Sequence, residues 1–486
     1  MRVQSLSALS LTCAMALWSS TALAEATEDG AAKLLSVFQT YLGTTEGVVT
    51  VAVEDDAYKV TFDATPLIAK IPAEGGLTAT LSPIEATVTD NGDGTWDYEI
   101  DQPATLAYEI PGAMKAKTDY GQVLLTGTFD EALGDSSEYH LEINDTVSEQ
   151  TQTDPNMGEV TVKMAQDSMT MDGTAAAGDA GVNSEFSTSV TGLTYDMAFP
   201  GGEGAPPMAF TATVAEGSAT GGMTGYQPAG IYGLLAFFVA HPDPALIEAD
   251  KAGLKSALEA AMPLFANLQM TGAYKDIAVT TPMGPVGLAE MGVTIDMNGA
   301  VADGKFREAF NLKGLTLPEG VLPPFAAPLV PSDLSLDVTA SRFDLAAAAG
   351  LGLGLLDLPA GGTPPADFDA QLMAAVLPEG VVDITIAPGE TNAPAYRLTY
   401  EGAMSVGPAT PMPVGKARLG LTGIDAIGEA LKASPPEMGM ADMAPMLEMA
   451  KMMAQPGVDG ELIWEIETTA TGGLLVNGQD MMGGGQ

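Results

Sequence analysis

Residues Pro83 to Asp101 read PIEATVTDNGDGTWDYEID. Ile84, Ala86 and Val88 alternate with polar residues on the way in, and Trp96, Tyr98 and Ile100 do so on the way back. A period of two puts one residue class on each face of an extended strand. Between the runs, Asp90-Asn91-Gly92-Asp93-Gly94 supplies residues that accept the left-handed conformations of a tight reversal. The segment therefore predicts an antiparallel hairpin with one face in water. Similar runs follow at Val123 to Phe129, Tyr139 to Ile143, Val160 to Met164 and Phe186 to Met197, each bounded by Gly, Asp, Asn or Pro.

The period changes in three places. Leu34, Leu35, Phe38, Tyr41 and Leu42 share a face at helical spacing between Glu28 and Gly43. Pro228 to Leu268 and Ala340 to Leu377 read as longer helical passages rich in Ala and Leu. Ile231 to Ala240 is apolar all round, so a single contact leaves one face uncovered. The expectation is that Phe237 and Phe238 are buried on both sides, with at least one of them in the core, or line a groove for an apolar ligand.

Arg2, the apolar run Leu6 to Leu17 and the small-x-small site Ala22-Leu23-Ala24 match a secretion signal over residues 1–24. Cys13 lies inside it, and Ser10 and Thr12 do not fit a lipidation motif. The mature chain then starts at Glu25 and contains no cysteine, so no disulfide is available in a compartment that permits them. No other apolar run reaches the roughly 20 residues of a membrane helix. The expected location is the periplasm or the exterior. With 63 acidic against 18 basic residues after cleavage, the mature charge is −45. Nucleic acid and anionic lipid headgroups are poor partners for such a surface. Length allows about three domains, or fewer if the chain is an extended β structure. The expected segments are 25–225, an N-terminal helix and β region; 226–268, a central helical segment; and 269–486, a C-terminal β region with helical insertions.

Two landmarks recur. Gly192-Leu193-Thr194 and Gly314-Leu315-Thr316 each precede a Pro-rich stretch, an alternating strand and a helical passage. The passages lead to Thr281-Pro282-Met283 and Thr410-Pro411-Met412. The offsets, 122 and 129, argue for a duplicated unit, although short matches in a chain rich in Gly, Pro and Thr also arise by chance. The expectation is that 190–297 and 312–424 share one strand order.

From about Tyr396 to Met481 the chain resembles the C-terminal part of the DUF2125 family, secreted alphaproteobacterial proteins without an assigned function. The resemblance rests on the turn Gly420 to Asp425, the acidic turn Val458-Asp459-Gly460 and the ending ELIWEIETTATGGLLVNGQ. It implies an envelope location and supplies no catalytic residues.

Catalytic provision is thin. His140 and His241 sit in unrelated contexts, and His241 suits a helix C-terminus. No GxSxG elbow, HExxH helix or Walker loop occurs. In a calcium-loop alignment of Asp90 to Asp101, Ile100 falls where a donor oxygen is required, so the plain turn is the better reading. Gly350-x-Gly352-x-Gly354 lacks a preceding strand and reads as a close-packed helix or turn. The local anomaly is methionine. Asp442 can cap a helix with Pro445 in its first turn and Pro456 beyond its end. Met443, Met446, Met449 and Met453 then share a face. Thioethers serve as adaptable core, as an apolar ligand surface, or as soft Cu(I) ligands.

The chain is read as mainly β (α+β), a long curved antiparallel sheet, internally duplicated, with helical segments covering its ends or one face. An outer-membrane barrel is disfavoured by 33 prolines and only 26 Phe and Tyr residues. The leading function is non-catalytic: an envelope protein binding an apolar ligand or an envelope partner along the sheet, at Phe237, Phe238, Met443, Met446, Met449 and Met453. No cofactor, metal or catalytic residue is assigned. A structural protein and a carboxylate-based hydrolase are the alternatives.

Overall fold

A computed structural model describes residues 25–70, 76–154, 158–200, 207–359, 362–408 and 412–481. Residues 1–24, read above as a secretion signal and containing Cys13, and Thr410-Pro411 of the second landmark lie outside the described residues. Among the described residues the chain is mainly β, with 21 strands. It divides into two compact units, 1–268 with 352–364, and 269–351 with 365–486. The central helical segment belongs to the first unit.

In the first unit the strands are β1 (Val49–Glu54), β2 (Ala57–Phe62), β3 (Thr78–Leu81), β4 (Ile84–Asp90) and β5 (Thr95–Ile110). Five more follow: β6 (Met114–Asp130), β7 (Asp135–Asp154), β8 (Gly158–Gly178), β9 (Gly181–Phe199) and β10 (Met208–Tyr226). They pair antiparallel in the order β1-β2-β4-β5-β6-β7-β8-β9-β10. The short β3 lies beside the second half of β5. The hairpin at Asp90 forms as expected. Gly92 and Gly94 take φ of 76° and 90°, and the Asp90 carboxylate accepts from the Gly92 N–H at 2.7 Å.

The short runs read after the hairpin are pieces of far longer strands. β8 has 21 residues, about 70 Å of extended chain at its usual rise. Alternation slips by one residue in mid-strand, which breaks the sequence pattern. The slips are in register: Gly121, Asp145, Asp167, Gly192 and Ala215 form a line of unpaired positions across β6 to β10. Asp145 and Gly192 have φ of 52° and 63°, and a Cβ on Gly192 would meet the Asp167 carboxylate at 2.0 Å. Along β9 the less exposed side passes from Phe186 and Val190 to Leu193, Tyr195 and Met197. Each bulge-like break thus returns apolar residues to the face they would otherwise leave.

The core lies at the amino-terminal end of this sheet. Helix α1 (Glu28–Leu42) starts where Thr27 accepts from the Gly30 N–H and stops at Gly43, whose φ is 83°. Its face of Ala31, Leu34 and Phe38 is buried with Val60, Val88, Trp96, Tyr98, Leu125, Phe129 and Leu141. A transverse row of the same sheet alternates ring and glycine: Tyr98, Gly127, Tyr139, Gly173, Phe186, Gly221. A Cβ on Gly127 would lie 2.4 Å from the Tyr98 hydroxyl, and one on Gly173 would lie 2.2 Å from the Tyr139 ring. The glycines leave room for rings that lie flat across neighbouring strands. Tyr98 bonds Ser136 at 2.8 Å in the interior, and burial pushes its hydroxyl pKa up to about 12.

The central passage is three helices: α2 (Pro228–Ala240), α3 (Pro244–Ala249) and α4 (Lys251–Ala261). Pro242 and the cap formed by Asp243 interrupt what the composition suggests is one element. Gly230 of α2 sits against the backbone of Ala260, and Tyr232 meets Tyr41 of α1 edge-on at 5.9 Å. Asp250 caps α4 by accepting from the Gly253 N–H.

The second unit contains all but the first two residues of β11 (Asn267–Thr281), then β12 (Gly284–Asn298), β13 (Gly304–Lys313), β14 (Asp333–Phe343), β15 (Val382–Ala393) and β16 (Tyr396–Val406). After these come β17 (Val414–Thr422), β18 (Gln455–Pro456), β19 (Leu462–Thr468), β20 (Leu474–Val476) and β21 (Gln479–Asp480). Strands β12 to β17 pair in chain order, and β17 then pairs with β19. One strand, β11, separates the central helices from the Thr281 turn, whereas β15 and β16 both separate the later helices from the Met412 turn. The two landmark-bounded stretches therefore differ in strand order. Gly192 lies inside β9, whereas Gly314 follows the end of β13.

Helices α5 (Leu345–Gly354) and α6 (Phe368–Val376) bury no residue. Gly350, Gly352 and Gly354 are helical, but a Cβ on each would meet open space, so close packing is not the reason for them. Helices α7 (Ile424–Lys432) and α8 (Ala444–Met453) form a small cluster with β19. Ile424, Ala430, Leu431, Ala444 and Trp464 are buried there, and the Trp464 indole donates to the Ala450 carbonyl at 2.9 Å.

Candidate functional site: an uncovered apolar sheet face

Alternation in the second unit sorts its sheet into two unlike faces. One face carries charge, and the charges are matched. Lys305 meets Asp296 at 2.6 Å, Lys313 meets Glu290 at 3.2 Å, and Arg307 holds Asp337 with two bonds of 3.0 and 2.9 Å. Arg342 bonds Asp383 and Glu379. The bond from the Ser405 hydroxyl, then Arg342, holds the Asp383 carboxyl below its usual range, and the Asp337 bond raises Arg307.

The other face is apolar in successive cross-strand rows. One row runs Met297, Phe306, Ala340, Ile384, Met404. The next runs Ile295, Glu308, Val338, Ile386, Gly402, Ala417, Ile466. Further along the strands, Val293, Phe310 and Leu336 adjoin, and Met291, Leu312, Leu334, Thr391, Leu398 and Leu421 complete a fourth row. Tyr400 lies over Gly389, and its hydroxyl donates to the Ser335 carbonyl at 2.6 Å. Phe306 is 40% exposed and Leu336 38%, although both are in interior strands. From β12 to β17 the face spans five strand intervals, about 24 Å at roughly 4.8 Å each. It is open at β13 and β14, whereas toward β19 Trp464, in the row of Tyr400 and Leu419, is buried beside α8, and Thr391 is buried in the fourth row. A lone exposed Leu is ordinary, but an apolar run of this extent on one face marks a contact surface.

The residues proposed from sequence lie elsewhere. Phe238, on α2, is 44% exposed, and Phe237 is half-buried. Neither is a buried residue, which overturns the core half of that expectation; Pro228 is the buried residue of α2. Phe237 stacks on His241 at 4.0 Å, whose Nδ1 lies 2.8 Å from the Phe237 carbonyl oxygen, so His241 does serve the helix C-terminus. On α8 the buried side is Ala444, with Leu447 against Gly428 of α7. Met443, Met446 and Met449 face out, at 52% to 63% exposure, with Met452 beside them at 80%. Met453 is turned partly inward. The core reading of these methionines is thereby corrected: the small residues of α8 make its packed side. Met443, rather than Asp442, occupies the N-cap position, after a 3-10 turn at Met440–Met443.

His140 lies on the first unit's polar face, opposite Thr126 and Asp172 in neighbouring strands. It bonds Asp172 at 2.7 Å in an open trench of about 540 Å³ floored by Gly127 and Gly173. Among the described residues, no three His, Cys, Asp or Glu side chains are grouped to hold a metal. No helix among them is long and apolar enough to cross a membrane. Compared with known proteins, the chain matches no family model, no curated protein and no solved structure. Sequence reasoning passed over Phe306, Phe310 and Leu336, although their spacing in KFREAFNLK and LSLDV is the same alternation used elsewhere.

Proposed function

We propose that this chain is a non-catalytic envelope protein that holds a hydrocarbon chain against the open part of this apolar face, around β13 and β14. The observation carrying this reading is the exposure of Phe306 and Leu336 in the middle of an apolar face whose reverse side is closed by ion pairs. One leaflet of a bilayer core is about 15 Å deep, half of its roughly 30 Å, so a lipid chain fits within the width of the face. Each buried methylene contributes about 0.8 kcal/mol. Ten of them yield on the order of 8 kcal/mol before the losses of association are subtracted. The acidic surface disfavours anionic headgroups, so the chain is held by its tail.

Native mass spectrometry with lipid extraction, on protein purified from its own envelope, tests the reading. Wild type is expected to carry a co-purifying lipid, and Phe306→Asp with Leu336→Asp to lose it while keeping its circular dichroism. Wild type emerging without lipid, or a double variant retaining it, would favour the structural-protein alternative.

A further inference from the structure

One residue interrupts the apolar face. Glu308 lies between Phe306 and Phe310 at two-residue spacing, so all three share a side of β13. Its cross-strand neighbours are Ile295 and Val338, and the row continues through Ile386, Gly402 and Ala417. It is the single charged residue in the four rows described above, and it is exposed. The cations nearest in sequence cannot neutralise it. Lys305, Arg307 and Lys313 alternate to the reverse face and are engaged by Asp296, Asp337 and Glu290. A charge pointing from an apolar face can protect a free sheet edge from pairing. β13 is flanked by β12 and β14 on both sides, so it has no edge to protect.

We infer that Glu308 selects the ligand: the molecule held on this face carries an ammonium group, primary or quaternary, beside its hydrocarbon chain. This rests on the apolar-chain reading above and narrows it. The carboxylate gives the positive head a counter-charge, and the Phe306 and Phe310 rings flank the spot with faces that attract cations. The chain then lies along the neighbouring rows, over Ala340, Ile384 and Met404 in one direction. An acidic protein already concentrates cations near its surface, so the site must be separated from that general field.

The test uses the full mature chain and two probes below their micelle-forming concentrations. Dodecyltrimethylammonium carries the charge, and dodecyl maltoside has the same tail and none. Glu308→Gln is compared with Glu319→Gln, which removes the same charge at an exposed turn. Wild type is expected to prefer the ammonium probe. Glu308→Gln is expected to weaken that probe about fivefold to tenfold and to leave the maltoside unchanged. Glu319→Gln should alter neither, and Phe306→Ala should weaken both. Equal binding of the two probes by wild type, or equal effects of the two Gln variants, overturns the role of Glu308 and leaves the apolar-chain reading standing. Binding of neither probe removes both.

Discussion

The amino-terminal end of the first unit and the β12–β17 face of the second begin from the same sequence grammar and end differently. Both alternate apolar and polar residues, and both direct the apolar set to one side. Under α1 that side is closed: Phe38 is 1% exposed and Phe129 is fully buried. On β13 and β14 it stays open, and the helices that follow, α5 and α6, bury nothing. The difference follows from the helices. α1 has a polar side and an apolar stripe, so one contact completes it. α5 reads LAAAAGLGLG, with no stripe to direct it toward a sheet. A sheet face becomes core only where a partner with a matching stripe is available.

Five measurements put this contrast at risk. The largest effect is expected at the closed end, where Phe129→Ala should cost about 3 to 5 kcal/mol through lost transfer energy and the cavity left behind. Urea unfolding measures it, and a loss below about 1 kcal/mol would mean that the core under α1 is not where stability resides.

Gly127→Ala should cost about 1 to 3 kcal/mol, because its methyl would collide with the Tyr98 hydroxyl and the Glu138 carbonyl. Pairing it with Tyr98→Phe ought to recover part of that loss in a double-mutant cycle. Purely additive costs would contradict the ring-over-glycine packing.

A smaller effect depends on pH. Burial raises the Asp135 carboxyl pKa from 3.8, against a lowering bond from the Ser136 N–H. A raised value in the fold means that stability is fullest below the unfolded pKa and falls as pH climbs through the folded one. Asp135→Asn keeps the bond to the Ser136 N–H and removes the ionisation. It is expected to melt higher than wild type at pH 7, with the difference shrinking toward about pH 3. A difference constant with pH would show that ionisation is not its source.

The smallest stability effect belongs to the open face. Phe306→Ala should stay within about 0.5 kcal/mol of wild type in the absence of ligand, as for an exposed site. In hydrogen exchange, β13 and β14 are expected to open at lower free energy than β4 and β5. A loss at Phe306 comparable with that at Phe129 would mean that the open face is covered.

Much of the fold was legible along the chain. The hairpin at Asp90, the face of α1 and the methionine face of α8 are local patterns. Spacing fixes which residues share a side whether or not anything lies against it. Strand length was not legible, because the breaks at Gly121, Asp145 and Gly192 return apolar residues to one face only when neighbouring strands carry matching breaks. The extent of the central helices and the order of strands after the landmarks were hidden for similar reasons, since Pro242 and Asp243 act through local caps and the landmarks are short.

Residues a few positions apart dictate the alternation, the turns and the identity of the two faces, and composition dictates the acidity. Which faces are covered was settled by the folded chain. It turned most of the methionines of α8 outward and Ala444 inward, left Phe238 half in water, and made Glu308 the neighbour of Ile295 and Val338. Coverage is a property of contacts between distant segments, and periodicity within one segment carries no information about what arrives to meet it.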